Sequence, residues 1–334
     1  MKIVITGGGG FVGQRLAQAI LEGPGLALAE SPDNKPALTP VTQIVCVDMA
    51  AGALRDERLS YVTGDVSDPA LIESAIDKQT NLVYHLAAVV SGTAEADFDL
   101  GQRVNVIGTR NVLERCRELG TCPRLVFSSS IAVFGGELPD VITDATTPMP
   151  QGSYGIQKLI GELMVQDYSR KGFIKGCSLR LPTVVVRPGK PNGAASSFAS
   201  GVIREPLAGV AMDLPVDPAT HMWSTSPAAV VRNLIHAAQL PPQAWGQWRS
   251  LNLPGLVHSM NDALDALESL GGAHVRSLVS FKPDPDIVRL VSTWAAHLET
   301  KRALSMGFIA DPDFMSVVRA YVTDYADAVK VPIK

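Results

Sequence analysis

Lys2-Ile3-Val4-Ile5-Thr6-Gly7-Gly8-Gly9-Gly10-Phe11-Val12-Gly13 stands at the start of the chain. A short β-branched run gives way to four glycines and then to an apolar pattern at helical spacing. The run reads as a buried strand over Lys2–Thr6, and the pattern as a helix over Phe11–Leu21. Between them, Gly7, Gly10 and Gly13 form G-x-x-G-x-x-G. Glycines at a strand-to-helix turn let phosphate oxygens approach the main chain. The helix then presents free N–H groups and the positive end of its dipole. The spacing predicts a dinucleotide site, with Phe11 and Val12 at the head of the helix included in it.

Outward from this turn, short apolar runs recur at Ile44–Asp48, Leu59–Thr63, Leu82–Leu86, Arg124–Ser128 and Ser178–Val186. They suit parallel strands covered on both faces. Arg103–Leu119 reads as one helix, with Val104, Ile107, Val112, Leu113 and Cys116 on its apolar stripe. The alternation predicts a Rossmann-type, doubly wound α/β fold with a parallel sheet. Gly23–Pro40, rich in glycine, proline and small residues, reads as an inserted surface loop. The expected division is an NAD-binding unit over residues 1–187, rejoined by 226–253, and a smaller substrate lobe over 188–225 and 254–334.

Asp48 ends the second strand. A carboxylate there accepts hydrogen bonds from the adenosine ribose and repels a 2′-phosphate. Met49-Ala50-Ala51 follows with no cation next to it, which favours NAD over NADP; Arg55 lies close enough in sequence to temper that preference.

The 334 residues carry a net charge of −4, with no basic block. That argues against nucleic-acid and anionic-membrane partners. No apolar run reaches the roughly 18–20 residues of a membrane span. The four cysteines lack metal-type spacing, no metal site is expected, and the chain reads as cytoplasmic.

Further motifs carry a resemblance. They are Gly64-Asp65-Val66, His85-Leu86-Ala87-Ala88, Asn105 with Gly108-Thr109, Ser128-Ser129-Ser130 before Val133-Phe134-Gly135, and Tyr154-Gly-Ile-Gln-Lys158. With the glycine turn, they resemble the extended short-chain dehydrogenase/reductase family of epimerases, dehydratases and dehydrogenases. The resemblance implies that Asp65, with Val66 beside it, contacts adenine. It implies that Leu86, Ala87, Ala88 and Pro182 line the cofactor cleft, and that Asn105 lies on the helix behind it. It also implies that Ser130 hydrogen-bonds the reacting oxygen and that Thr183 meets substrate.

Tyr154 and Lys158, four apart, share one helix face. A free tyrosine, with a pKa near ~10, is a poor base at neutral pH. An adjacent ammonium is expected to stabilise its phenolate, and Lys158 is also expected to hold the nicotinamide ribose. In the expected step Tyr154 takes a hydroxyl proton while hydride leaves the same carbon for the nicotinamide.

Two departures bear on substrate. Thr183 stands where nucleotide-sugar relatives carry asparagine, and Thr220–Pro227 lacks their arginine and acid pair. Both favour a smaller molecule. Arg180–Gly189 and Ile203–Pro206 resemble a branch that oxidises a four-carbon sugar acid. A carboxylate needs a cation, and Arg187, Lys190 and Arg204 are the candidates. The main expectation is NAD-dependent oxidation of a small anionic carbohydrate at a secondary hydroxyl. The alternatives are a nucleotide-sugar epimerase or dehydratase, and a non-catalytic NAD-sensing protein. A homodimer paired through Arg103–Leu119 and Ser153–Lys171 is expected from the resemblance.

Overall fold

The fold is taken from a computed structural model that describes residues 1–33, 36–189, 194 and 196–334. The β-branched run forms β1 (Lys2–Thr6), buried along its whole length. The glycine turn leads into α1 (Phe11–Glu22), followed by β2 (Gln43–Asp48) and β3 (Leu59–Thr63). Next come α2 (Pro69–Ala75), β4 (Thr80–His85), α3 (Ser91–Ala96) and α4 (Phe98–Gly101). Then follow α5 (Gly108–Leu119), β5 (Arg124–Ser130), α6 (Ser153–Arg170) and β6 (Lys175–Leu181).

The six strands pair parallel in the order β3-β2-β1-β4-β5-β6. This is the doubly wound order expected from the alternating pattern. The order reverses between β1 and β4, and a crevice opens there above the carboxyl ends of the strands. The glycine turn and Ser128–Ser130 both lie at those ends, so residues over a hundred positions apart face one crevice.

β7 (Thr183–Val184), α7 (Ser197–Leu207), β8 (Met212–Leu214) and β9 (His221–Thr225) come next. After α8 (Pro227–Gln239), β10 (Ser250–Asn252) adds parallel to β6 as the seventh strand. The chain continues through β11 (Leu256–Ser259), α9 (Met260–Arg276), β12 (Val279–Phe281) and α10 (Pro285–Val291). It closes with α11 (Lys301–Ser305) and α12 (Phe314–Asp324). β11, β9 and β7 form a three-stranded sheet, and β12 pairs with β8.

One face of the main sheet packs on α1 and α8 through Ile3, Ile5, Leu16, Ile20 and Leu234, joined by Ala303 and Phe308. The other packs on α2, α5 and α6 through Val4, Val83, Leu113, Phe127 and Val165. A separate core of Val202, Ile203, Leu267, Val318 and their neighbours holds α7, α9 and α12 together.

Two local expectations are corrected. Arg103–Leu119 is not one α-helix: Gln102–Ile107 is π-helical and the α-helix begins at Gly108. The wider turn directs Asn105 inward and leaves Ile107 exposed, off the expected stripe. The strand expected over Ser178–Val186 ends at Leu181, because Pro182 has no N–H for the ladder; Thr183–Val184 then pairs with β9 instead. The described residues of Gly23–Pro40 form no helix or strand, in keeping with an inserted loop, and they are tied to the amino ends of β5 and β6. Leu26 bridges Thr39, the Ala29 carbonyl accepts from the buried Arg124, and Glu30 pairs with Lys175.

Candidate active site

The crevice encloses about 710 Å³. Its walls include Val12, Leu86, Ala88, Ser130, Tyr154, Lys158, Pro182, Thr183 and Arg187, all expected site residues.

The turn fits a dinucleotide. Gly7 has φ +72°, and a Cβ there would lie 2.7 Å from the Ala87 nitrogen. A Cβ on Gly13 would lie 2.2 Å from the Gly7 carbonyl oxygen. Turn, helix start and β4 loop therefore meet backbone to backbone. No side chain caps α1 at Gly10, so first-turn N–H groups, those at Phe11 and Val12 among them, are left for an anion. The Asp48 carboxylate sits beside the turn, accepting from the N–H of Gly9 at 3.0 Å and of Gly10 at 3.1 Å. The Arg55 guanidinium turns away from it, donating to the carbonyls of Gly52 and Leu54.

Asp65 accepts from the Ser67 N–H and lies 3.5 Å from Arg103, while Val66 is buried beneath Gly108. Asn105 binds both backbone groups of Val89, at 2.8 and 3.1 Å, and donates to Gln157 at 2.7 Å. Its role is to hold the loop after β4.

His85 joins several of these parts. Thr109 Oγ1 donates to the Asn105 carbonyl, so it accepts from His85 Nε2–H. His85 Nδ1 is then the acceptor for Thr6 Oγ1, at 2.6 Å. These bonds specify one neutral tautomer, and burial followed by the nearby Lys158 pushes the imidazolium pKa down to about 3.

Tyr154 and Lys158 both face the crevice from α6. Lys158 Nζ donates to the Ser128 carbonyl at 2.8 Å and lies 5.6 Å from the Tyr154 ring centroid. Burial lowers its pKa to about 7, against the raising effect of Glu162. Burial pushes the Tyr154 phenol up to about 12, opposed by Ser130 and then by the charge of Arg187. The charge of Arg187 favours the phenolate from one side, while the Lys158 ammonium, bonded to the Ser128 carbonyl, stands beside the ring on the other.

Arg187 also brings its guanidinium to the crevice wall. Its main chain is held by Ser200 Oγ and by Arg204, and among the described residues its guanidinium has no hydrogen-bond or ion-pair partner. Burial and the neighbouring Arg204 both lower its pKa. Arg204 does not line the crevice. It is buried, paired with Glu205 at 2.5 Å and bonded to the Arg187 carbonyl at 2.8 Å, so its guanidinium is engaged away from the crevice. Lys190 lies outside the described residues.

Several wall residues escaped sequence reasoning. Asp286, Arg289, Thr293 and Trp294, from α10 and the turn after it, line the crevice on the side of the smaller core, and Glu95 lines it from α3. Their sequence neighbourhoods carry no motif. Glu162 and Arg180 form a buried ion pair behind Lys158. A signal for them existed: Glu162 continues the Tyr154/Lys158 helix face by four residues, and Arg180 is a charge set between Leu179 and Leu181. Among the described residues no metal-binding cluster occurs, and no helix is long and apolar enough to cross a membrane.

A parallel sheet with its glycine turn, an ordered tyrosine–lysine pair and a serine at the end of β5 together define a nicotinamide-dependent reductase-type fold. The model of the NAD dependent epimerase/dehydratase family matches residues 3–237, and the chain belongs to that family; its cofactor is NAD. Within it, the chain is 49% identical to a D-erythronate dehydrogenase of Cupriavidus necator, over 97% of this chain and 98% of that one. It is 40% identical to a D-erythronate dehydrogenase of Haemophilus influenzae, over 96% and 99%. A solved structure described as a nucleoside-diphosphate-sugar epimerase from Agrobacterium tumefaciens matches with a TM-score of 0.88 at 38% identity, covering 98% of this chain and 95% of that one.

Proposed function

We propose that the chain oxidises D-erythronate at its 2-hydroxyl to the 2-oxo acid, with NAD. The observation that carries this reading is the Arg187 guanidinium, without a partner among the described residues, in the crevice wall shared with Tyr154 and Ser130. A cation beside the base suits a substrate whose hydroxyl neighbours a carboxylate, and near full-length similarity to two D-erythronate dehydrogenases supports it.

In this reading Arg187 binds the carboxylate through its paired N–H donors. Ser130 holds the hydroxyl oxygen toward Tyr154, and Tyr154 accepts the hydroxyl proton. NAD, when bound along Gly7–Gly13 and Asp48, supplies the acceptor for the hydride leaving the same carbon. The alcohol is oxidised to the ketone, and one proton is released to solvent. Lys158 holds charge beside the tyrosine, and the lobe of residues 188–225 and 254–334 shapes the substrate end. The alkaline phenol makes oxidation faster as pH rises.

The protein is proposed to act as a homodimer in a reducing cytoplasm. Phe98, Ile107, Ile156 and Leu163 are exposed apolar residues on or beside α4, α5 and α6, which suits pairing through those helices. Cys46, Cys116 and Cys177 are buried free thiols.

The test is a screen of four-carbon sugar acids and nucleotide sugars, following NADH absorbance for oxidation and product chromatography for epimerisation. D-erythronate oxidation is expected. Turnover of a nucleotide sugar with no sugar acid accepted would replace this reading with the epimerase one.

A further inference from the structure

Behind Lys158, on the side away from the crevice, lies a polar cluster that the chemistry above does not use. Glu162 follows Lys158 by one helical turn, and its side chain is fully buried. Its Oε1 accepts from Ser129 Oγ at 2.5 Å and from Arg180 Nε at 2.9 Å, and its Oε2 accepts from Arg180 at 2.8 Å. Arg180 continues to Asn252 on β10 at 3.3 Å and stacks on Phe134, a wall residue of the crevice, at 5.0 Å. Ser129 sits between the Ser128 carbonyl that binds Lys158 and the Ser130 hydroxyl that faces Tyr154. One carboxylate thus ties α6 to the end of β5 and to β6.

Such a pair is costly to bury, and a hydrophobic pair of similar volume is often as stable. Stability alone is a weak account of its presence here. Lys158 is itself buried, and among the described residues it has no ion-pair partner; its Nζ contacts are a carbonyl and two aromatic rings. The groups facing it are Tyr154 and Glu162 on its own helix, His85 on β4, Arg180 beyond Glu162 on β6, and Arg187 beside Tyr154. His85 is neutral, and both arginines are cations. Glu162 is therefore the only anion among these groups.

We propose that Glu162 is a positioning residue of the catalytic centre: anchored by Arg180 and Ser129, it is the buried counter-charge that favours the ammonium form of Lys158, and it sets the register of Ser128–Ser130 against α6. The proposal rests on the reading of Tyr154 and Lys158 as the proton-handling pair. A lysine that lost its proton would leave the tyrosine without a fixed cation on that side.

The test is NMR titration of the full chain labelled with ¹³C at lysine Cε, with the Lys158 signal assigned by its loss in Lys158→Met. In Glu162→Gln the Lys158 midpoint should fall by about one pH unit or more, a tenfold change in proton affinity. The rate of oxidation at neutral pH should fall in parallel. A merely structural glutamate would lower thermal stability and leave the midpoint in place, and that outcome overturns the proposal. Glu162→Gln leaves Arg180 unpaired, so Glu162→Gln/Arg180→Met, which removes both charges, serves if the single variant does not fold. Its Lys158 midpoint should still lie below wild type, and an unchanged midpoint is again fatal. The titration needs neither substrate nor turnover. A wild-type protein that ignores sugar acids would end the proposed function and leave this result standing.

Discussion

Arg187→Leu is the most informative change to the crevice. The substitution removes a guanidinium with no protein partner among the described residues and leaves a shorter, apolar side chain. The backbone contacts to Ser200 Oγ and Arg204 do not depend on the side chain, so the fold should survive. A hydrogen bond to a charged group contributes about 1.5–3 kcal/mol. Loss of the carboxylate contact therefore predicts a fall of roughly 10- to 150-fold in kcat/KM for D-erythronate. A second effect has its own signature. Arg187 favours the Tyr154 phenolate against the burial that raises its pKa to about 12. Without that cation the phenol moves further up, so the rising limb of the pH–rate profile should shift to higher pH. Arg187→Lys restores the charge but not the paired donors. It should return the pH limb toward wild type while recovering only part of kcat/KM. Steady-state kinetics from pH 6 to 10 with NAD saturating would measure both. An unchanged kcat/KM in Arg187→Leu refutes the carboxylate assignment, and an unmoved limb refutes the electrostatic one.

Other expectations follow from the same geometry. Gly13→Ala places a methyl 2.2 Å from the Gly7 oxygen. Overpacking of this kind costs about 1–3 kcal/mol, and calorimetry should show weaker NAD binding with little change in far-UV dichroism. Tyr154→Phe should retain NAD binding and lose about 10²-fold or more in oxidation, as for a missing general base; full activity would remove the mechanism. Asp48→Ala with Met49→Arg should shift preference toward NADP, read as the ratio of kcat/KM for the two cofactors; a wild type that already prefers NADP contradicts the Asp48 argument. Leu163→Glu should turn a dimer into a monomer by light scattering, and a wild type that is monomeric at micromolar concentration ends the pairing proposal.

Much of this protein lies open in its amino-acid order, because the decisive signals are local. The glycine turn, the strand before it and the helix after it follow one another within residues 2–22, and backbone sterics alone make them a phosphate cradle. Tyr154 and Lys158 need only helical periodicity to share a face. The doubly wound sheet follows from alternating apolar patterns, since strands buried on both faces tolerate little else. Tertiary structure decided whatever depends on partners distant in sequence. Arg187 and Arg204 look alike as side chains, yet Glu205 and the Arg187 carbonyl engage one and leave the other to the crevice. Lys158 turned to the Ser128 carbonyl, and burial raised the Tyr154 phenol against the opposing effects of Ser130 and Arg187. Arg289 and Trp294 reached the wall from over a hundred residues away. Charge and desolvation are set by what surrounds a group in space, and linear order does not carry that information. Helix and strand periods are set by the nearest few residues, and linear order carries them in full.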